Sequence, residues 1–310
     1  MSRAELVQII EMNPRLQPRT RVIYRRAVDR WIAFSGDDSA GWTPLRAQAF
    51  YNDLLSKNLK PQSANLIIHA LRHVFGQWAE VTQEPRRAIF RAVQTRKDEP
   101  PEQAKVLSDD EGQRLANVRR GVSPLHLRDF AIVVLGLQTG MRRMSFCGAT
   151  LEGLSYGDRI LKVPVKGGTS FPVPLSRAAL EALKPWVAWL RRQQIETGAL
   201  FWSFRSPRLD HPGTFPQGPI SLPGFDVVIQ RIARDASVEN VSPHSFRHTF
   251  VTWARQAGVA PFQIAAVTGH VFESSVGGTD GLIENVYTRR SVAHATAAEA
   301  ISRPWMFRQR

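Results

Sequence analysis

Val241-Ser-Pro-His-Ser-Phe-Arg-His-Thr-Phe250 reads as the opening of a helix. Ser242 is a good N-cap, and Pro243 suits the first helical position, where its fixed φ helps and its missing N–H costs nothing. His244 and Arg247 lie three apart and so share a face within the first turns. Phe246, Phe250 and Trp253 fall on the core side. A helix N-terminus that carries a basic face is a natural phosphate site, because unpaired N–H groups and the helix dipole both favour an anion. The pair alone is a weak signal. The chain has 8 histidines and arginine is frequent, so a solvated surface pair is the competing reading.

Working outward, Thr268-Gly269-His270 follows, and then Glu284-Asn-Val-Tyr287-Thr-Arg-Arg290. Upstream, the apolar run Phe130 to Leu137 predicts a buried helix that ends near Gly140 and leads into Met141-Arg142-Arg143. Between these segments, Arg159 to Val165 and Thr169 to Leu175 flank Lys166-Gly167-Gly168, a hairpin pattern. Pro164, Pro172 and Pro174 place its strands at an exposed or edge position. Ser108-Asp-Asp-Glu111 is a capping box that starts another helix. The remainder reads as helical, with an irregular region from about Ser203 to Pro223.

Thr95 to Ala104 is charged, contains a double proline and lacks apolar periodicity, as a linker does. It divides the chain into 1–100, a linker at 101–106, and 107–310. The first part reads as helical. Ile23, Ala27, Trp31 and Phe34 mark one face, and Thr43 caps a second helix carrying Phe50, Leu54 and Leu55. A third helix begins near Ser63 and buries Ile68, Leu71, Phe75 and Trp78, with His69, Arg72 and His73 elsewhere on its surface. The fold class is therefore mainly α with a small β-hairpin or sheet. Lys and Arg total 41 against 27 for Asp and Glu, a formal net charge of +14. For a folded basic chain nucleic acid is the commonest partner, since each cation placed on a phosphate releases counterions. Arg21, Arg25, Arg26, Arg72, Arg143, Arg289 and Arg290 are the candidate DNA contacts. The single cysteine, Cys147, implies no internal disulfide. The N-terminus does not read as a signal peptide, and Ala131 to Leu137 is too short to cross a bilayer. The expected location is the cytosol, with no membrane partner.

The ordered set Arg142 (in Thr139-Gly-Met-Arg), Lys166, His244, Arg247, His270 and Tyr287 resembles the tyrosine recombinase, or phage integrase, family. Six matches in order are far more specific than any one. Of the four tyrosines, Tyr24, Tyr51, Tyr156 and Tyr287, only Tyr287 follows the basic cluster. The resemblance implies that Tyr287 is the nucleophile in DNA strand cleavage and rejoining through a 3′-phosphotyrosine. Arg142 and Arg247 would clamp the phosphate, His244 would take a proton or bind phosphate, Lys166 would act as general acid, and His270 would position the phosphate. No Walker, Cys-x-x-Cys or His-Glu-x-x-His pattern is present, and neither metal nor cofactor is expected. His211 and His248 read as structural or solvent-facing. Two departures stand out. Ser145 occupies a position where the family often has an acidic residue that buttresses the first arginine. The glycine-bearing stretch from Ser274 to Gly281 also lengthens the spacing from His270 to Tyr287, and a flexible loop there would let Tyr287 act in its own subunit or in a neighbour.

The resemblance further implies a helical core-binding domain before a mixed catalytic domain. It implies a homo-tetramer on double-stranded DNA with an inverted-repeat core site, and leaves room for accessory DNA-bending proteins. The alanine-rich stretch from Ser291 to Ile301 would either dock on a neighbouring protomer or fold back on its own domain. Three alternatives stay open at this point: a type IB topoisomerase, a catalytically silent DNA-binding regulator of the same fold, and a basic helical RNA-binding protein.

Overall fold

The computed structural model describes residues 2–37, 39–97, 105–118, 123–164, 170–204, 216–268 and 299–307. The chain divides into two compact units, Met1–Glu102 and Gln103–Arg310.

The first unit holds α1 (Arg3–Met12), α2 (Pro18–Ser35), α3 (Pro44–Ser56) and α4 (Pro61–Val81), followed by short 3-10 turns at Pro85–Arg87 and Ile89–Ala92. Proline starts three of these helices, and the Thr43 hydroxyl accepts from the Arg46 amide as the expected cap of α3. The core is aromatic. Trp31 is fully buried and meets Phe50 and Phe90 edge-on, at 5.4 and 4.9 Å between centroids. Ile68, Leu71, Phe75 and Trp78 are buried on α4 as expected.

Two readings of this unit need correction. The buried stripe of α2 is Tyr24, Ala27, Val28 and Trp31, while Ile23 is exposed. The tyrosine ring wins the inward position by packing edge-on to His73 at 5.3 Å. Arg72, expected on the surface of its helix, is half-buried and donates from Nε to the Phe90 carbonyl at 3.1 Å and from Nη2 to that of Val93. The Phe90 carbonyl already accepts from the Val93 amide within the 3-10 turn, and the guanidinium adds a second donor there and serves the Val93 carbonyl just beyond it. Helix α1 was not anticipated, since it buries only Leu6 and Ile10 and shows little periodicity.

The second unit runs α5 (Asp109–Asn117), α6 (Pro124–Thr139), α7 (Arg143–Gly148), β1 (Leu154–Ser155), β2 (Ile160–Pro164), β3 (Ser170–Pro174) and α8 (Arg177–Arg192). It continues with β4 (Trp202–Phe204), β5 (Pro216–Pro219), α9 (Leu222–Asp235), α10 (Pro243–Gln256) and α11 (Pro261–Thr268), and a 3-10 turn at Pro304–Met306 follows. Ser108 forms its capping box with Glu111. Helix α6 is buried almost all round and packs on α5, α8 and α10. Gly136 permits the α10 approach, because a Cβ there would stand 3.1 Å from the Phe246 ring. Strands β1-β2-β3 form an antiparallel sheet, with Lys162 opposite Pro172 and Pro164 opposite Ser170. β3, with two prolines, lies at the edge. Pro164 closes β2 beyond the two residues that β1 covers. The region expected to be irregular contains a second, two-stranded sheet of β4 and β5.

Residues 299–307 pack on their own unit. Ile301 and Met306 are buried in its core, and Glu299 pairs with Arg159 and accepts from the Arg177 amide. The rest of the alanine-rich stretch lies outside the described residues. No helix among the described residues is long and apolar enough to cross a membrane.

The interior of this unit also holds charge. Arg128 and Asp129 are both almost fully buried. Arg128 donates twice to Asp129 Oδ1, at 2.9 and 2.6 Å, and once to the Trp202 carbonyl. Arg231 reaches Asp129 Oδ2 at 2.6 Å. The triad ties α6 to α9 and to β4. Asp129→Ala leaves a buried guanidinium without its counter-charge, and the expected cost is about 3–5 kcal/mol in urea unfolding, whereas a loss under about 1 kcal/mol would show the triad to be dispensable.

Candidate active site

The site begins where α6 stops. Gly140 takes the left-handed conformation, φ +57°, and its amide caps back onto the Gly136 carbonyl. A side chain there would also meet Phe250 at 3.1 Å, so glycine is required for both conformation and space. Met141 is buried, and the extended backbone of Arg142 then caps α7. This turn throws the Arg142 side chain out of the core.

Helix α10 brings the second arginine. The Ser242 hydroxyl accepts from the Ser245 amide and Pro243 sits in the first turn, as the sequence predicts. Phe246, Phe250 and Trp253 are buried and anchor the helix. Arg247 is only 6% exposed. Its Nη1 donates to the Gly140 carbonyl at 3.0 Å and its Nη2 to the Thr268 carbonyl at 2.7 Å. Arg142, itself exposed, donates from Nη1 to the same Thr268 oxygen at 3.3 Å. The two guanidiniums, one from the N-cap of α7 and one from α10, therefore converge on the Thr268 carbonyl. The Thr268 hydroxyl turns back to the Ile264 carbonyl at 2.9 Å and closes the final helical turn.

Burial, and then the neighbouring charge of Arg142, lowers the Arg247 pKa to about 10. The group stays cationic at neutral pH. Two like charges held this close, one of them desolvated, form a site that gains by binding an anion. His244 lies exposed in the first turn of α10, and His248 is exposed one turn on. Cys147 offers no rival nucleophile near neutrality, because burial pushes its thiol up to about 11.

Of the six residues singled out from sequence, the structure brings Arg142 and Arg247 together and places His244 on the same helix as Arg247. Lys166, His270 and Tyr287, with Arg289 and Arg290, lie outside the described residues. Pro164 and Ser170, which flank the Lys166 segment in the chain, are paired in the hairpin, and Thr268 stands two positions before His270. Among the other arginines, Arg143 is ion-paired with Asp226 of α9. Arg21 and Arg25 both reach Glu11, and Arg26 is exposed. The carbonyl acceptors of Gly140 and Thr268 were not anticipated, since a backbone oxygen leaves no mark in a sequence. Their only trace is the recurrence of Thr-Gly at both places.

Arg247 bears the cost of a buried cation, about 3 kcal/mol for this pKa shift. Arg247→Met removes that cost but strands the Gly140 carbonyl, at about 1–3 kcal/mol, while the Thr268 carbonyl keeps its bond from Arg142. The terms largely offset, and urea unfolding is expected to change by less than about 1.5 kcal/mol in either direction. A loss above about 3 kcal/mol would make Arg247 a residue of the fold rather than of the site.

Comparison with known proteins agrees with this geometry. Residues 105–278 match the phage integrase family model. Tyrosine recombinase XerC of Corynebacterium glutamicum is 31% identical over 144 residues, covering 46% of this chain and 43% of that protein. The match thus spans less than half the length of that relative. XerC of Shewanella oneidensis is 28% identical over 218 residues, 69% of this chain and 66% of that one. Among solved structures, a lambda integrase dimer bound to a COC' core site superposes with a TM-score of 0.63 at 17% identity, covering 90% of this chain and 98% of that chain. The Tn1549 transposon integrase in complex with circular intermediate DNA gives 0.65 at 16% identity, covering 92% and 98%. These two structures share the two-domain, mainly helical fold. With the family match running over more than half of its length, the chain belongs to the phage integrase family, the tyrosine recombinases.

Proposed function

We propose that this chain cleaves and rejoins DNA at specific sites through a covalent 3′-phosphotyrosine at Tyr287. The observation that carries the reading is the convergence of Arg142 and Arg247 on the Thr268 carbonyl. It sets two permanent cations where the non-bridging oxygens of one phosphodiester can take bidentate hydrogen bonds. The family membership and the DNA complexes of the similar integrases support it.

In the proposed reaction the Tyr287 oxygen attacks phosphorus. A P–O(Tyr) bond forms, and the bond to the 5′-oxygen breaks. His244 accepts the phenol proton, Lys166 gives a proton to the leaving oxygen, and His270 holds the phosphate. Charge developing on the non-bridging oxygens falls to the two guanidiniums. The phosphotyrosine conserves the bond energy, so a free 5′-hydroxyl from either duplex reverses the step without a nucleotide cofactor. Recombination between two sites then follows from exchange of partners. A tetramer on two inverted-repeat sites suits this reading, and a lambda integrase tetramer bound to a Holliday junction shares the fold, with a TM-score of 0.62. The first unit would grip DNA through Arg21, Arg25 and Arg26, and accessory DNA-bending proteins would act at the flanks. A cytoplasmic location is part of the same proposal.

The test uses nicked DNA substrates that trap covalent intermediates. Wild type is expected to give detergent-resistant adducts concentrated at one inverted-repeat site. Tyr287→Phe is expected to give none while still binding that DNA. His244→Ala is expected to slow adduct formation about 10²–10⁴-fold, with unfolding stability unchanged because the side chain is exposed. Adducts spread evenly over all DNA would point instead to a topoisomerase, and tight binding without any adduct would point to a regulator.

A further inference from the structure

The two arginines share a support that neither the family motif nor their own helices supply. The carbonyl of Thr268, on α11, accepts from Arg142 Nη1 and from Arg247 Nη2. The other arm of Arg247 is fixed by the Gly140 carbonyl at the end of α6. The C-terminal end of α6 therefore faces the Arg247 guanidinium and presents the negative pole of its helix dipole. Next door, Arg143 takes the opposite solution and pairs with the carboxylate of Asp226. Ser145, where a carboxylate would otherwise stand one turn beyond Arg142, is half-buried, and its amide donates to the Arg142 carbonyl at 2.8 Å.

We propose that Thr268 of α11 is the positioning element of the phosphate clamp: its carbonyl orients both guanidiniums, and position 145 has no part in it. The proposal rests on the reading of Arg142 and Arg247 as that clamp. A carbonyl holds a guanidinium in plane without cancelling its charge, and a guanidinium with five N–H donors keeps others for the phosphate. A carboxylate would orient equally well but would neutralise one of the two charges that the anion needs. The device depends on the last turn of α11 keeping its shape, which the Thr268 hydroxyl secures through the Ile264 carbonyl. Thr268 thus acts on the reacting phosphate through the arginines.

The experiment compares adduct formation on an ordinary scissile phosphodiester with that on a methylphosphonate, which lacks one non-bridging charge and so depends less on the clamp. Thr268→Val deletes the hydroxyl and keeps the shape. It is expected to slow cleavage of the phosphodiester about tenfold while leaving the methylphosphonate rate within about twofold. Thr268→Ser, which restores the hydroxyl, is expected to recover the wild-type ratio. Ser145→Ala is expected to change neither rate, and Ser145→Glu to slow the phosphodiester alone about tenfold by drawing Arg142 away. Equal losses on both substrates in Thr268→Val would reduce the residue to a structural one. A collapse of the ratio in Ser145→Ala, or a gain in Ser145→Glu, would return the buttress to position 145. Either result overturns the proposal while the recombinase reading stands. Wild type that forms no adduct on either substrate would sink both, since no clamp would then exist to be positioned.

Discussion

A guanidinium that must be buried and remain charged needs acceptors that do not cancel it, and the second unit is arranged around that need. Arg247 meets it with two backbone carbonyls, those of Gly140 and Thr268. For Gly140 to offer its carbonyl, α6 must stop in a left-handed turn, where a larger residue is both strained and too big for the space beside Phe250. For α10 to bring Arg247 to that point, it must lie close against α6, and Gly136 leaves the gap for Phe246. For Thr268 to close the arrangement, α11 must carry it beside both arginines, with its threonine hydroxyl folded back on the preceding turn. Glycines, caps and aromatic anchors along three helices thus serve one cation.

The same interior contains a cation treated differently. Arg128 is matched to Asp129, with Arg231 on the other carboxylate oxygen. That network turns both guanidiniums inward, onto the two oxygens of one carboxylate. Its value lies in fixing α6, α9 and β4 relative to one another, since breaking a buried pair costs far more than forming one gains. Arg247 instead sits against neutral oxygens, with another cation beside it and its pKa lowered. Unlike Arg128, Arg247 has among the described residues no carboxylate against it to cancel its charge.

Much of this was legible in the sequence because it is local. Ser242-Pro243, Thr43-Pro44 and Ser108 to Glu111 start helices by short-range hydrogen bonds and fixed φ, and all three do so here. The apolar run before Gly140 could only be a buried segment, and the proline pattern of the hairpin placed β3 at an edge. What was not legible depends on partners distant in sequence. Ile23 and Tyr24 are adjacent candidates for one inward position, and only the presence of His73 on another helix decides between them. Arg72 looks like a surface cation until the carbonyls of Phe90 and Val93 arrive beside it. The strands β4 and β5 are too short and too rich in proline and glycine to announce themselves. Arg142 and Arg247 were found by motif, but their common acceptor was not, because any residue has a carbonyl.

The basic surface can be re-weighed on the same physical grounds. Exposed ion pairs are worth about 0–1 kcal/mol, so the pair of Arg25 with Glu11 holds that side chain only weakly, whereas Arg21 also donates from Nη2 to the Asn13 carbonyl at 3.1 Å. Glu11 limits the mutual repulsion of the two arginines. Arg26 is exposed on the same helix. Arg72 differs in kind: it is half-buried and donates to the Phe90 and Val93 carbonyls, and moving it away would take that donor from the Val93 carbonyl, at more cost than an exposed ion pair gains. Within the first unit, Arg25 and Arg26 of α2 are therefore held less firmly by the fold than Arg72 of α4. The high net charge of the chain overstates the number of arginines free to contact DNA, because several of them already hold the protein together.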